Sequence, residues 1–329
     1  MPRPAQIPEA LLRGPFHVDD AAAVGVTHDR LRGAAYRRLL PRVWVVRTHV
    51  MSEPDWHQAA LLYAPDDACL TGVTRLQQLG LDIGPHRPLQ LVVARDLHRT
   101  SPDVFIHRTD VMPEHRGRLV SPLAAWVEAC RTLSLLDAVA AGDWLRREHG
   151  VDTERFRQFC TRDHWREGVP EAWWVWPLLD PGSRSPQESR IRTWMHAAGL
   201  PRPESNAEVR DRDRLVAIVD WWWRTWRLAA EYEGLHHQVD RHQYVADIDR
   251  YRRIRSLDAA YVQITRELYA MPRTMIRRIH EALVERGYDG PAPTFGAATD
   301  SLTLPVARAM TLAPRLSPAG PRPLPPARR

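Results

Sequence analysis

Four carboxylates late in the chain are the residues best suited to chemistry: Glu188, Asp220, Glu231 and Glu233. Asp220 stands near the end of a strand-like run, Leu215–Trp222. Glu231 and Glu233 stand near the end of the next, Trp226–Tyr232. Side chains alternate along a strand, so Glu231 and Glu233 share a face. A tight turn at Arg224-Thr225 would bring Asp220 within one or two residue pairs of Glu231. Glu188 can approach from a preceding helix. Two carboxylates about 5 Å apart repel by roughly 3 kcal/mol at an effective dielectric of about 20. A divalent cation removes that cost, and hard oxygen donors favour magnesium or manganese over zinc. Asp220, Glu231 and Glu188 are the expected metal ligands. The metal would polarise a phosphodiester, activate water and stabilise the departing oxygen. His237, next to His236, is the candidate general acid or phosphate-orienting group, because histidine titrates near neutrality; the alternative is that both simply sit in the loop after the third strand. The competing reading is that Arg190, Arg192 or Arg227 neutralises these acids, or that the acids face solvent and never meet.

The surrounding elements must place these groups. Ser185 reads as an N-cap, Pro186 as the first helical position and Glu188 as the third, a capping-box pattern. The helix is expected to run to about Ala198 and stop at Gly199-Leu200-Pro201. Three strands follow: Asn206–Val209, Leu215–Trp222 and Trp226–Tyr232. Then come a helix over about 242–257, a strand at Ala260–Thr265 and a helix from about Pro272 to Arg286. The order is αβββαβα. The Trp221–Trp226 cluster reads either as hairpin core or as a stacking surface for unpaired bases.

The N-terminal 50 residues suggest a second function. Asp19–Val24 reads as a short helix that Gly25 ends. Thr27 is a good N-cap for a helix from His28 to about Arg38, with Leu31, Ala34, Ala35 and Leu39 at helical spacing. A strand at Pro41–Arg47 follows. Short helices, a glycine turn and a basic strand are the parts of a winged helix-turn-helix. The alternative is a small helical cap with a solvated basic face.

Composition sets the frame. All 46 basic residues are arginine, against 40 acids in 329 residues, a formal charge of +6. Any mechanism that needs lysine is excluded. The three cysteines form no CxxC pair, so a zinc site built on them is not expected, and an odd, low count fits a reducing compartment. No run of about 18 apolar residues and no secretory core is present, so no membrane partner is expected and the cytoplasm is the expected location. Four segments are expected: a winged helix at 1–50, a small mixed α/β middle domain with a helical linker at 51–180, the acid-bearing domain at 181–290, and a disordered Pro/Arg-rich tail at 291–329. The fold class is α+β.

Two resemblances sharpen these readings. Ser185-Pro186-Gln187-Glu188, Ala198-Gly199-Leu200-Pro201, Val219-Asp220 and Ala230-Glu231-Tyr232-Glu233-Gly234 with His236-His237 resemble the very-short-patch-repair-like endonuclease domain, over about 185–288. That resemblance implies a restriction-endonuclease-like PD-(D/E)XK fold and hydrolysis of DNA with magnesium or manganese. Glu233 stands where this family has aspartate and the wider superfamily lysine. Val24-Gly25-Val26-Thr27, the basic helix and Val43-Trp44-Val45-Val46 resemble the winged-helix start of type IV abortive-infection (AbiEi-like) antitoxins. This resemblance implies operator binding, with Arg30, Arg32, Arg37 and Arg38 as groove or phosphate contacts and Arg42 and Arg47 on the wing. It also implies a cognate toxin-like partner. The alternative to an active nuclease is therefore an antitoxin-like transcriptional regulator with a catalytically degenerate nuclease fold.

Overall fold

Side-chain caps fix the first turns of the chain. The computed structural model describes residues 6–97, 99, 101–233 and 258–317. The chain divides into two compact units, Met1–Ala129 and Cys130–Arg329. In the first, β1 (Phe16–His17) leads into α1 (Val18–Ala23), where the His17 side chain accepts the Asp19 N–H. Thr27 accepts the Arg30 N–H and opens α2 (His28–Leu31). α2 is a single turn, not the helix to Arg38 that the apolar spacing predicts. Arg37 and Arg38 belong to β2 (Tyr36–Leu40), which pairs with β3 (Val43–Val46). Tertiary pairing overrides the helical pattern here. Tyr36 is buried edge-on against Phe16, whereas Ala34 and Ala35, needed for a helical stripe, are exposed. The small sheet has the order β1-β3-β2.

The same unit continues with α3 (Glu53–Tyr63), which Ser52 caps, β4 (Cys69–Leu70) and α4 (Gly72–Gln78). It ends with β5 (Leu89–Val93), β6 (Val104–Arg108), β7 (His115–Arg116), β8 (Leu119–Val120) and α5 (Pro122–Ala129). Its second sheet has the order β6-β5-β4-β8-β7. Leu40 and Val43 share one core with Ala59, Ala60, Leu70 and Leu89. The β2–β3 hairpin is therefore packed together with the segment that follows it. The division falls at Ala129/Cys130, so residues 130–180 belong to the C-terminal unit.

That unit begins with helices α6 (Leu135–His149), α7 (Thr153–Arg162), α8 (Val169–Val175) and α9 (Pro186–Ala197). An antiparallel meander follows: β9 (Glu204–Asp211), β10 (Arg214–Trp223) and β11 (Leu228–Tyr232). β12 (Ala260–Ile264) lies parallel to β11, and the sheet order is β12-β11-β10-β9. α10 (Arg266–Tyr269) and α11 (Pro272–Glu285) come next. The helix expected over 242–257 lies outside the described residues. Trp221, Trp223, Leu228 and Ala230 pack with Ile191 and Met195 of α9 and with Met275, Ile276 and Ile279 of α11. Trp222 and Ala229 join a different cluster with Val209, Ala217 and Ala259. Trp221, Trp222 and Trp223 are all buried, so these indoles are core and not a stacking surface.

Residues 291–317 are folded, contrary to the compositional expectation of a disordered tail. They contain α12 (Ala297–Asp300) and α13 (Val306–Leu312). Leu302, Val306 and Ala309 are fully buried. Their spacing is helical, but the surrounding prolines and arginines mask it. Backbone bonds tie the segment to α6: Leu135 N–H donates to the Leu304 carbonyl at 2.9 Å and Leu136 N–H to that of Leu302 at 3.1 Å. The rest of the expected tail, 318–329, lies outside the described residues.

A buried ion pair joins α6 to α9. Arg192 donates to Asp143 at 2.7 Å and to the Leu178 carbonyl at 2.8 Å. Asp143 also accepts the Asp180 N–H at 2.6 Å. Burial pushes the Asp143 carboxyl above the usual range, and Arg192 and the Asp180 N–H offset part of that push. Breaking such a pair from one side leaves a stranded charge, at a cost of about 3–5 kcal/mol. Arg192→Ala is therefore expected to destabilise the C-terminal unit by about 3–5 kcal/mol in urea unfolding followed by tryptophan fluorescence. A loss under about 1 kcal/mol would contradict this account.

Candidate functional site

The β10–β11 register places the acids. Trp221 pairs with Ala230, Trp222 with Ala229 and Trp223 with Leu228. One further step along that register sets Asp220 abreast of Glu231. Asp220 Oδ2 accepts the backbone N–H of Tyr232 at 2.8 Å, which holds the carboxylate against the end of β11. Glu231 is buried and Asp220 half-buried.

β12 supplies further donors. Ala229 is the register partner of Tyr261, and Glu231 that of Gln263. The Tyr261 hydroxyl donates to Glu231 Oε2 at 2.9 Å, and the Gln263 amide donates to Glu233. Each β12 donor thus serves the β11 acid two residues beyond its own partner. Paired strand residues share a face, so this diagonal is within reach of long side chains. The register sets Asp220, within β10, beside Glu231, near the end of β11, and Glu233 follows one residue past that strand. Tyr261 and Gln263 escaped the sequence reading because only the parallel register of β12 puts them beside the acids.

Glu188 is engaged differently. Ser185 Oγ accepts its N–H at 3.2 Å, as the capping pattern predicts. Its own Oε2 reaches one residue past the N-cap, to the Arg184 N–H at 2.8 Å, and also takes the Asn206 Nδ2 at 2.7 Å. Asn206 lies between Ser205 and Ala207, the partners of Trp221 and Val219, so it stands abreast of Asp220. Glu188 therefore bonds to the strand beside Asp220. Among the described residues no three His, Cys, Asp or Glu are grouped to hold a metal ion, so Glu188 does not complete a trio with Asp220 and Glu231. His237 lies outside the described residues. Arg190 and Arg192 do not neutralise the acids: they pair with Asp137 and Asp143, at 2.8 and 2.7 Å.

The six candidate DNA-binding arginines separate into groups. Arg32, Arg37, Arg38 and Arg47 line one concavity of about 430 Å³ in the N-terminal unit, together with His28 and Trp44. Arg42 is paired with Asp19 at 2.9 Å and lines another concavity, which also carries Asp20 and Asp66. Arg30 reaches the Gln6 carbonyl at 2.7 Å.

No protein-family model matches the chain. Two curated relatives, both named as uncharacterized proteins of Mycobacterium tuberculosis, from strains CDC 1551 / Oshkosh and ATCC 25618 / H37Rv, are each 29% identical to it over 150 residues. The match covers 45% of this chain and 55% of theirs, so the chain spans about half the length of the curated relatives it matches. Among the described residues no helix is long and apolar enough to cross a membrane.

The Glu188 contacts make a measurable claim. Removing a capping or charge-assisted hydrogen bond costs about 1–3 kcal/mol. Glu188→Ala is expected to lower the stability of the C-terminal unit by about that amount in urea unfolding. An unchanged midpoint would mean that the Arg184 and Asn206 bonds contribute nothing.

Proposed function

We propose that this is a DNA-binding protein whose C-terminal unit is a restriction-endonuclease-like domain that hydrolyses phosphodiester bonds with magnesium or manganese. One observation carries this reading: Asp220 within β10 stands abreast of Glu231 near the end of β11, in a meander flanked by the parallel strand β12. The element order α9-β9-β10-β11, then β12-α10-α11, accords with the αβββαβα frame that the endonuclease resemblance implies. The donor chemistry fits a hard cation. Magnesium is commonly held through one or two carboxylates while substrate phosphates and waters fill its other positions. Asp220 and Glu231 would hold it, and Glu188 is not required. When bound, the metal would act as a Lewis acid and lower the pKa of a bound water. Tyr261 and Gln263 keep Glu231 and Glu233 oriented. Glu233 occupies the position of the absent superfamily lysine, so any proton taken from water there goes to a carboxylate. The winged-helix reading of β1 to β3 supplies the DNA-docking part. A cytoplasmic location accords with three buried, free cysteines.

A second reading draws on the lack of a three-acid metal group among the described residues. In it the chain is an antitoxin-like regulator, with a toxin-like partner and a degenerate nuclease fold.

Cleavage separates the two. The purified chain with magnesium or manganese is expected to nick duplex, mismatched or single-stranded DNA. Removing groups that only support metal ligands costs about 10–100-fold, so losing a ligand should cost at least about 100-fold. Asp220→Ala is expected to reduce nicking by at least that factor while DNA binding persists. A folded wild-type chain that cleaves none of the three substrates overturns the nuclease reading. DNA binding that needs no metal and survives Asp220→Ala then supports the regulator.

A further inference from the structure

A recognition helix lays several side chains along the major groove to read base edges. α2 has four residues, one turn, which is too short to do so. Three arginines assigned to such a helix stand instead around the 430 Å³ concavity, Arg32 just after α2 and Arg37 and Arg38 on β2, and Arg47, assigned to the wing, joins them just after β3. No acid lines it. Arg47 is a fixed wall, donating to the Ala34 carbonyl at 2.7 Å and that of Tyr36 at 3.0 Å. Arg37 is anchored to the His49 carbonyl at 3.2 Å. Arg32 and Arg38 are exposed and have no partner among the described residues. Tyr36 also lines the concavity. It is 1% exposed. The concavity around Arg42 contrasts with this one, because its aspartates offset its arginines.

We propose that the concavity is a seat for a backbone phosphate of DNA, gripped by Arg32 and Arg38 between the fixed guanidiniums of Arg37 and Arg47, and that it docks the chain on DNA irrespective of base sequence. This rests on reading the chain as a DNA-binding protein. The guanidinium fork matches phosphate oxygens. Phosphate contacts fix position and orientation without carrying sequence information.

Fluorescence anisotropy on the full chain tests the seat, with three duplexes of unrelated sequence, one single strand, and inorganic phosphate followed by calorimetry. The three duplexes are expected to bind within about threefold of one another. The double variant Arg32→Ala/Arg38→Ala should weaken binding to all three alike, by about tenfold or more. It should also flatten the slope of log affinity against log salt by about 1–2. Both side chains are exposed, so the variant should keep the wild-type urea midpoint, and Arg32→Lys/Arg38→Lys should recover part of the affinity. A double variant that binds as wild type does overturns the seat and leaves DNA binding to another surface. A preference above about 100-fold for one duplex overturns its sequence tolerance. Binding of inorganic phosphate with no binding of DNA overturns the assignment to a DNA backbone. A wild-type chain that binds neither overturns both the seat and the DNA-binding reading.

Discussion

The division of three consecutive indoles across β10 governs the C-terminal unit. Alternation sends Trp221 and Trp223 to the core formed with α9 and α11, and Trp222 to the cluster with Ala229. A slip of one residue would exchange these faces and move all three indoles out of their cores. Burying one large apolar side chain is worth about 1.5–3 kcal/mol, so the three together strongly favour one register. That register is what sets Asp220 abreast of Glu231 and Asn206. Trp223 adds a polar tie, its indole N–H donating to the Pro201 carbonyl at 2.7 Å. The acids are thus placed by hydrophobic residues that take no part in their chemistry.

Adjacent carboxylates repel, and the strands beside these acids supply hydrogen-bond donors that offset part of that repulsion. The Tyr232 N–H, the Tyr261 hydroxyl and the Gln263 amide each present a positive dipole end to one acid. Arg190 and Arg192, close by in sequence on α9, are taken up by Asp137 and Asp143 on α6. A dipole stabilises a carboxylate without cancelling its charge. The same donors limit rotation of Glu231 and Glu233, so little ordering is left for a ligand to impose.

Much of this was legible in the sequence, and the failures have physical causes. The Ser185-Pro186 cap, the three-strand meander and β12 follow from local signals, because capping and alternation act within a few residues. The turn expected at Arg224-Thr225 brings Asp220 only within one or two residue pairs of Glu231; the connection in fact spans 224–227, and that length sets the two abreast. The helix to Arg38 did not form, because Tyr36 is buried against Phe16 in strand pairing, a contact between residues 20 apart that no local window contains. The folded segment after residue 290 was hidden for a related reason. Its apolar residues are few, and they are buried against α6, more than 150 residues earlier. Glu188 was misjudged as a metal ligand because its spacing says only that it opens a helix. Which group its carboxylate meets depends on Asn206, held at φ +48 in β9.

The lysine-free composition also has a structural side. Many guanidiniums here collect carbonyl oxygens: Arg75 takes that of Val120, Arg118 those of Pro65 and Ala68, and Arg192 that of Leu178. Arg286 takes those of Trp226 and Asp258. A planar fork with five N–H groups can span two carbonyls or a carbonyl and a carboxylate, which a single ammonium does less well. The net charge of +6 therefore overstates the charge that is free to act. Each guanidinium fixed to carbonyls keeps its charge but loses its freedom, and becomes part of a wall. Arg32 and Arg38 stand apart from that use, exposed beside two such walls, which is the arrangement expected when mobile cations close on an anion that fixed ones have already attracted.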